Sequence, residues 1–196
     1  MPGKVTLVGA GPGEAGLLTV KGRAALEGAE EVVYDRLVRP EILALMPEGA
    51  KKIDVAKTAS RHPVPQGQIN EVLVEEARAG HNVVRLKGGD PFLFGRGGEE
   101  LEALSAAGVD FEEVPGITSA IAAAAYGGIP VTHRNYSSSL HIVTGRAKAG
   151  EPISIDFDAL VRTRGTLVFL MGVTALPEIV GGLLGAGMDG GTPAAM

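Results

Sequence analysis

Short apolar runs alternate with helical patterns through the first 114 residues, and this alternation limits the fold more than any other feature of the sequence. Residues 4–8, 31–34, 52–55, 82–86 and 111–114 read as strands. Between them, 19–28 and 66–80 read as helices, and Leu101 and Leu104 mark another that ends at Gly108. Thr19 suits an N-cap and Pro65 a first helical turn, while Ile69, Val72, Leu73 and Ala77 recur at helical spacing. Ile42, Leu43, Leu45 and Met46 suggest a short helix stopped near Pro47. Strands that alternate with helices this closely imply a doubly wound parallel sheet, an α/β fold. In such sheets ligands bind beyond the carboxyl ends of the strands.

Nearly all the unusual chemistry falls on that edge. The loops after the strands carry Gly11-Pro12, Asp35-Arg36, Lys57, Lys87-Gly88-Gly89-Asp90 and Pro115-Gly116. The richest is the stretch from Arg85 to Glu100, where Gly88, Gly89, Gly95, Gly97 and Gly98 stand with Pro91, Phe92 and Phe94. Each glycine costs chain entropy, so five of them suit a loop whose backbone must closely approach a ligand. The plainer alternative is a long strand-to-helix connection with a phenylalanine plug.

Residues 115–119 read as a hinge, which divides the chain into an N-terminal α/β domain, 1–114, and a second, mixed α/β domain, 115–196. Thr118 or Ser119 can cap a helix through Ala125 that is apolar all round and is expected to be buried. Strands are expected at 140–145 and 166–170, and a helix at 174–184 with Pro177 in its first turn. A further strand is expected to begin where the sequence stops at Met196, so the second domain is expected to be cut short.

A formal charge of −5 with no basic block is a poor basis for general nucleic-acid binding. Without cysteine there is no disulfide, thiolate metal site or cysteine nucleophile, which fits the cytosol. No apolar run approaches the roughly 20 residues of a membrane helix. Gly9 and Gly11 imitate a dinucleotide fingerprint, and Asp35 lies near where a ribose-binding acid would fall. Glu14, however, occupies the third glycine position, where its carboxylate would repel a pyrophosphate, and Pro12 removes a backbone donor. An NAD-dependent oxidoreductase is therefore disfavoured.

Several strings in order resemble the tetrapyrrole methylases: 9–22, 34–38, 64–70, 87–100, 115–119, 129–134 and 166–172, so the likeness runs from about Val5 to Met196. Within that family the run Phe94-Gly95-Arg96-Gly97-Gly98-Glu99-Glu100 is most similar to members that methylate uroporphyrinogen III. The resemblance implies a two-domain fold with its site in the cleft between domains. It implies S-adenosyl-L-methionine as methyl donor, S-adenosyl-L-homocysteine as product and no metal. The reaction would be double C-methylation of uroporphyrinogen III to precorrin-2, on the way to sirohaem or cobalamin, by a cytoplasmic homodimer with no nucleic-acid or membrane partner.

Carried onto this sequence, the resemblance gives donor contacts at Gly11, Pro12, Gly88, Gly89, Asp90, Leu93, Thr118, Ser119 and Met171. It gives a proton acceptor at Asp35 and a proton donor at Lys57. A macrocycle with many carboxylates needs local cations, and Arg36, Arg39, Arg61, His62, Arg96, His133 and Arg134 are candidates, with Lys57 and Arg146 beside them. Plainer readings stand next to these. The cations can be solvated surface charge, Asp35 and Lys57 can pair, Asp90 can cap its own loop, and Met171 can be core. Gly145-Arg146 stands where many relatives have Gly-His. Competing functions are a precorrin-4 methyltransferase, an RNA or diphthamide-precursor methylase that the acidity disfavours, and a non-catalytic binding module.

Overall fold

The computed structural model describes residues 3–56, 64–146 and 153–196, and the chain divides into two compact units, Met1–Ser119 and Ala120–Met196. The first unit holds β1 (Lys4–Gly9), α1 (Val20–Glu27), β2 (Glu31–Tyr34), α2 (Pro40–Leu43), β3 (Lys51–Asp54), α3 (Gln66–Arg78), β4 (Val83–Lys87), α4 (Gly97–Ala106) and β5 (Asp110–Val114). Its strands form one parallel sheet in the order β3-β2-β4-β1-β5. In register, Gly9 lies beside Lys87 and Val8 beside Val114.

Strand alternation sends side chains to both faces. Val8, Val32, Val84 and Leu86 pack with Leu26, Ile42 and Met46 under α1 and α2. Val5, Leu7, Val33 and Val83 pack with Ile69, Leu73, Ala77 and Leu104 under α3 and α4. Burial of each such side chain contributes about 1.5–3 kcal/mol, so two covered faces account for the apolar run of the sheet's strands, which Arg85 and Lys87 of β4 interrupt. Thr19 caps α1 as expected, its hydroxyl accepting from the Gly22 N–H at 3.0 Å.

One helix boundary changes. The helix after β2 ends at Leu43, because Leu45 and Met46 donate to Ile42 and Leu43, a tighter i→i+3 pattern. Ile42 and Met46 are buried all the same. Apolar spacing marks what packs, and does not fix where the α-helical ladder stops.

The second unit carries β6 (Leu140–Thr144) and β7 (Thr166–Leu170), which pair in parallel, with α6 (Phe157–Thr163) and α7 (Leu176–Gly185). The expected mixed α/β arrangement is thus, among the described residues, a small parallel sheet. The seven-residue α6 has no sequence-based counterpart above. Asp156 caps it, accepting from the Ala159 N–H at 2.8 Å, and Arg164 at φ 52° ends it. It packs on α7 where a Cβ on Gly182 would lie 2.3 Å from the Phe157 ring. Ahead of β6, α5 (Ser119–Tyr126) forms as expected but is not buried all round. Ala120 and Ala122 are covered, whereas Ile121 and Tyr126 are exposed. Apolar composition shows that a helix can be covered, and this chain covers only part of it. No helix among the described residues is long and apolar enough to cross a membrane.

Candidate functional site

The strand order creates a switch point between β1 and β4. The connection leaving β1 crosses β4 to reach β2, and the connection leaving β4 crosses β1 to reach β5, on the opposite face. A crevice therefore opens at the carboxyl ends of these two strands. Three loops are tied together there by their backbones. Gly11 and Gly89 exchange hydrogen bonds at 3.1 and 2.8 Å, and Ala10 donates to the Lys87 carbonyl at 2.7 Å. Gly116, after β5, closes the knot: a Cβ on it would lie 2.2 Å from the Gly89 carbonyl oxygen and 2.6 Å from the Gly9 Cα. Those atoms are backbone and cannot yield, so glycine is required at that contact.

Asp90 locks the same knot. Its Oδ1 accepts from the Phe92 and Leu93 N–H groups at 2.9 and 3.2 Å, and its Oδ2 accepts from the Gly116 N–H at 3.1 Å. Both carboxylate oxygens are thus engaged by backbone, the loop-capping role among the two readings of this residue. Glu113, on the neighbouring strand, has its pKa raised by burial and then by the Asp90 charge, and its Oε1 is buried without a hydrogen bond. Gly88 lies against the loop after β2, where its Cβ would meet that of Leu37 at 2.7 Å. Gly89 differs from its neighbours. Its φ is 69° and no atom lies within 4 Å of the place its Cβ would take. Exposed Leu37, Phe92 and Phe94 stand on the loops after β2 and β4.

Asp35 follows β2 on the same edge. Its Oδ1 accepts from the Leu37 N–H at 3.0 Å, and its Oδ2 lies 3.4 Å from Arg85 Nη2. Arg85 belongs to a buried charge cluster that the sequence reading did not single out. Arg85 is 2% exposed, Lys87 3% and Glu100 0%. Glu100, from α4, accepts from Arg85 Nε at 3.0 Å, from Lys87 Nζ at 2.9 Å to each oxygen, and from Gln66 Nε2 at 3.1 Å. Burial, then the adjacent Arg85 cation, lowers the Lys87 pKa. Two cations at alternate positions of an otherwise apolar strand were the available signal, with a second glutamate closing the glycine stretch as their counterion.

Among the other candidates, Arg36 and Arg39 are exposed, and the Arg39 stem lies over Gly13, whose Cβ would meet Arg39 Cγ at 2.9 Å. Arg96, at φ 59° before α4, makes a bidentate pair with Glu99 at 2.8 and 2.5 Å. Pro12 is exposed, Leu93 is half-buried, and Thr118 and Ser119 follow the Gly116 contact. Lys57, Arg61 and His62 lie outside the described residues.

In the second unit, His133 and Arg134 stand on an exposed loop, the His133 ring 4.8 Å from that of Tyr136. Arg146 is exposed beyond β6. Met171 follows β7 at φ 58° and is 49% exposed, so it is not a core side chain. A positive φ on a methionine is sterically costly and marks a constrained position. The strand ends of this unit also meet through glycines: a Cβ on Gly145 would lie 2.5 Å from the Gly172 Cα.

One further ionic cluster sits at the opposite edge of the first sheet. Lys51 Nζ lies 3.3 Å from Glu31 Oε1 and 2.6 Å from Glu76 Oε1, with His81 Nδ1 2.8 Å from Glu31. The hydrogen bond with Glu76 raises the Lys51 pKa and lowers that of Glu76. The ammonium sits between the two carboxylates and offsets one of their two charges, which makes the cluster an ion-pair network.

Known proteins share this architecture. The model of the tetrapyrrole (corrin/porphyrin) methylases matches residues 4–196. The porphyrin biosynthesis protein HemD of Ruminiclostridium josui is 55% identical over 194 residues, covering 99% of this chain and 38% of that protein. Siroheme synthase 2 of Serratia proteamaculans is 52% identical over 194 residues, 99% of this chain and 41% of that protein. The chain thus spans about two fifths of the length of these curated relatives. The crystal structure of a uroporphyrin-III C-methyl transferase from Thermus thermophilus, complexed with S-adenyl homocysteine, superposes with a TM-score of 0.80 at 43% identity, over 95% of this chain and 74% of that one. A cobalt precorrin-4 methyltransferase, CbiF, gives 0.81 at 29% identity, over 94% and 75%. On the family match along its whole described length and the identity of these relatives, the chain belongs to the tetrapyrrole methylase family.

Proposed function

We propose that the chain is an S-adenosylmethionine-dependent C-methyltransferase that methylates uroporphyrinogen III twice, giving precorrin-2. The observation that carries this reading is the knot of Gly11, Gly89 and Gly116 at the switch point, where a Cβ on Gly116 would run into backbone and one on Gly11 would press on Leu17, while the space over Gly89 is open. That opening is a cradle that a Cβ would fill, and it leaves backbone within reach of a ligand. The Thermus thermophilus relative, of the same fold, is described with S-adenyl homocysteine bound. The residues present fit such a ligand. Gly11, Pro12, Gly88, Gly89, Leu93, Thr118 and Ser119 would hold it, with Asp90 keeping the loop in shape. Bound there, S-adenosylmethionine would supply an electrophilic sulfonium methyl.

The chain's own contribution is positioning, since displacement at such a methyl needs alignment more than acid–base help. A pyrrole-derived carbon of the acceptor forms the new C–C bond as the C–S bond breaks and sulfur takes the electron pair. The macrocycle then loses a proton. Asp35, on the same edge and with its carboxylate 28% exposed, would accept it, and Lys57 would return a proton where one is needed. Arg36 and Arg39 offer cations to the acceptor's carboxylates, and Arg61, His62, Arg96, His133 and Arg134 belong to the same proposal. The division at 114/115, a homodimer and a cytoplasmic setting go with it, the last supported by the absence of cysteine. Preference for uroporphyrinogen III over precorrin-4 rests on 43% identity to the first kind of enzyme against 29% to the second.

Calorimetric titration with S-adenosylhomocysteine, with NADH as control ligand, tests the donor site. Saturable binding of the first alone is expected. Binding of NADH alone would refute the proposal.

A further inference from the structure

We propose that Arg85, anchored by Glu100, is the positioning residue that fixes the Asp35 carboxylate for the proton-accepting step. The inference rests on the reading of Asp35 given above. It starts from a physical oddity. The face of β4 toward α3 and α4 opens with Val83 and then buries Arg85 and Lys87. Each buried cation carries a desolvation cost of several kcal/mol, and well-packed apolar residues in place of such clusters are often as stable or more so. Stability alone therefore gives little reason for this cluster, and its geometry supplies one.

The charges alternate along a line. Among the described residues Glu100 is the one carboxylate that meets both buried cations, so Arg85 and Lys87 together exceed it by one positive charge. Asp35 completes the balance at 3.4 Å from Arg85 Nη2. Arg85 spans the two anions with different edges of its guanidinium, Nε on Glu100 and Nη2 toward Asp35, while Nη1 donates to the Val33 carbonyl at 3.4 Å. A planar fork fixes the relative placement of two carboxylates, which a single ammonium cannot do. The far side of Asp35 is held by the Leu37 N–H, so both of its oxygens are addressed and the group cannot rotate freely. Lys87 holds Glu100 from the other side, and its backbone carbonyl is also the anchor of the β1–β4 knot. One strand thus joins the proposed donor loop through its backbone to the proposed proton acceptor through its side chains.

The test is a double-mutant cycle. R85Q, R85K, D35N and the two combinations with D35N are compared for kcat, for KM toward the tetrapyrrole, for S-adenosylhomocysteine affinity by calorimetry and for thermal stability. R85K keeps the buried cation but cannot span both carboxylates. It is expected to fold and bind S-adenosylhomocysteine like the parent while losing roughly tenfold or more in kcat, the scale of coupling within one hydrogen-bond network. Adding either Arg85 substitution to D35N is expected to cost little more. Should R85Q fail to fold, R85K carries the comparison alone. Full restoration of kcat by R85K, or losses that simply add to those of D35N, would overturn the inference and leave Asp35 its role. D35N with parental turnover would overturn the reading of Asp35 itself, and the inference with it.

Discussion

Asp90→Asn discriminates between a loop cap and a ligand contact. In the parent, three backbone N–H groups converge on one carboxylate, two on Oδ1 and one on Oδ2. An amide can keep only one oxygen. Its NH₂ must face either the Gly116 N–H or the pair from Phe92 and Leu93, donor against donor. A hydrogen bond to a charged group contributes about 1.5–3 kcal/mol, and the partial exposure of this site points to the lower end. Relief of the repulsion on Glu113 offsets part of the loss. A net cost of about 1–1.5 kcal/mol follows, or roughly 2–6 °C in Tm for a chain of this size. Differential scanning calorimetry reads that shift, and titration with S-adenosylhomocysteine on the same sample reads the site. Affinity is expected to fall as the knot between the β4 and β5 loops loosens. A Tm within about 1 °C of the parent, together with lost affinity, would refute the capping role and turn the Asp90 side chain toward the ligand.

Other outcomes follow from the same structure. Gly116→Ala forces a Cβ to 2.2 Å from the Gly89 carbonyl oxygen, and overpacking against backbone is expected to cost about 3 kcal/mol, the upper end for such strain, with loss of S-adenosylhomocysteine binding in calorimetry. Glu113 has a raised pKa, so its contribution is present at low pH and is lost as pH rises through the folded value; Glu113→Gln is therefore expected to raise Tm at pH ~7 and to change it little at pH ~4. Glu112 is lowered from 4.5 to about 2 by Lys21 and then Lys4. Its contribution is present above 4.5 and fades as pH falls toward 2, and Lys21→Met is expected to move its carboxyl titration, followed by carbon-13 NMR, upward. Those charges are exposed, so added salt is expected to shrink the effect.

The first sheet was legible because its strands are short apolar runs separated by strong helical signals, with Thr19 and Pro65 marking helix starts. The edge that carries the candidate site was legible too, since Gly11, Gly89, Asp90 and Gly116 all fall just after strands. Pairing between those loops was not, because the contact of Gly9 with Gly116 joins residues far apart in sequence. The buried cluster escaped notice for a related reason. The sequence marks Arg85 and Lys87 only as part of a glycine-rich stretch; that they are buried on one face shows once the sheet supplies that face and α4 supplies Glu100. In the second unit, α6 is one short element whose cap, Asp156, is visible only once the helix is known. The half-exposed α5 shows the complementary limit, since composition cannot say whether a covering surface belongs to the same chain.

The most direct measurement of the central claim follows the methyl group. The purified chain is incubated with uroporphyrinogen III kept reduced and with S-adenosylmethionine labelled with carbon-13 at the methyl, and the tetrapyrrole is analysed by mass spectrometry and carbon NMR. Two labelled methyl groups on ring carbons of each product molecule are expected. Release of S-adenosylhomocysteine with no label on macrocycle carbon, or label on another acceptor in its place, would contradict C-methylation of uroporphyrinogen III by this chain.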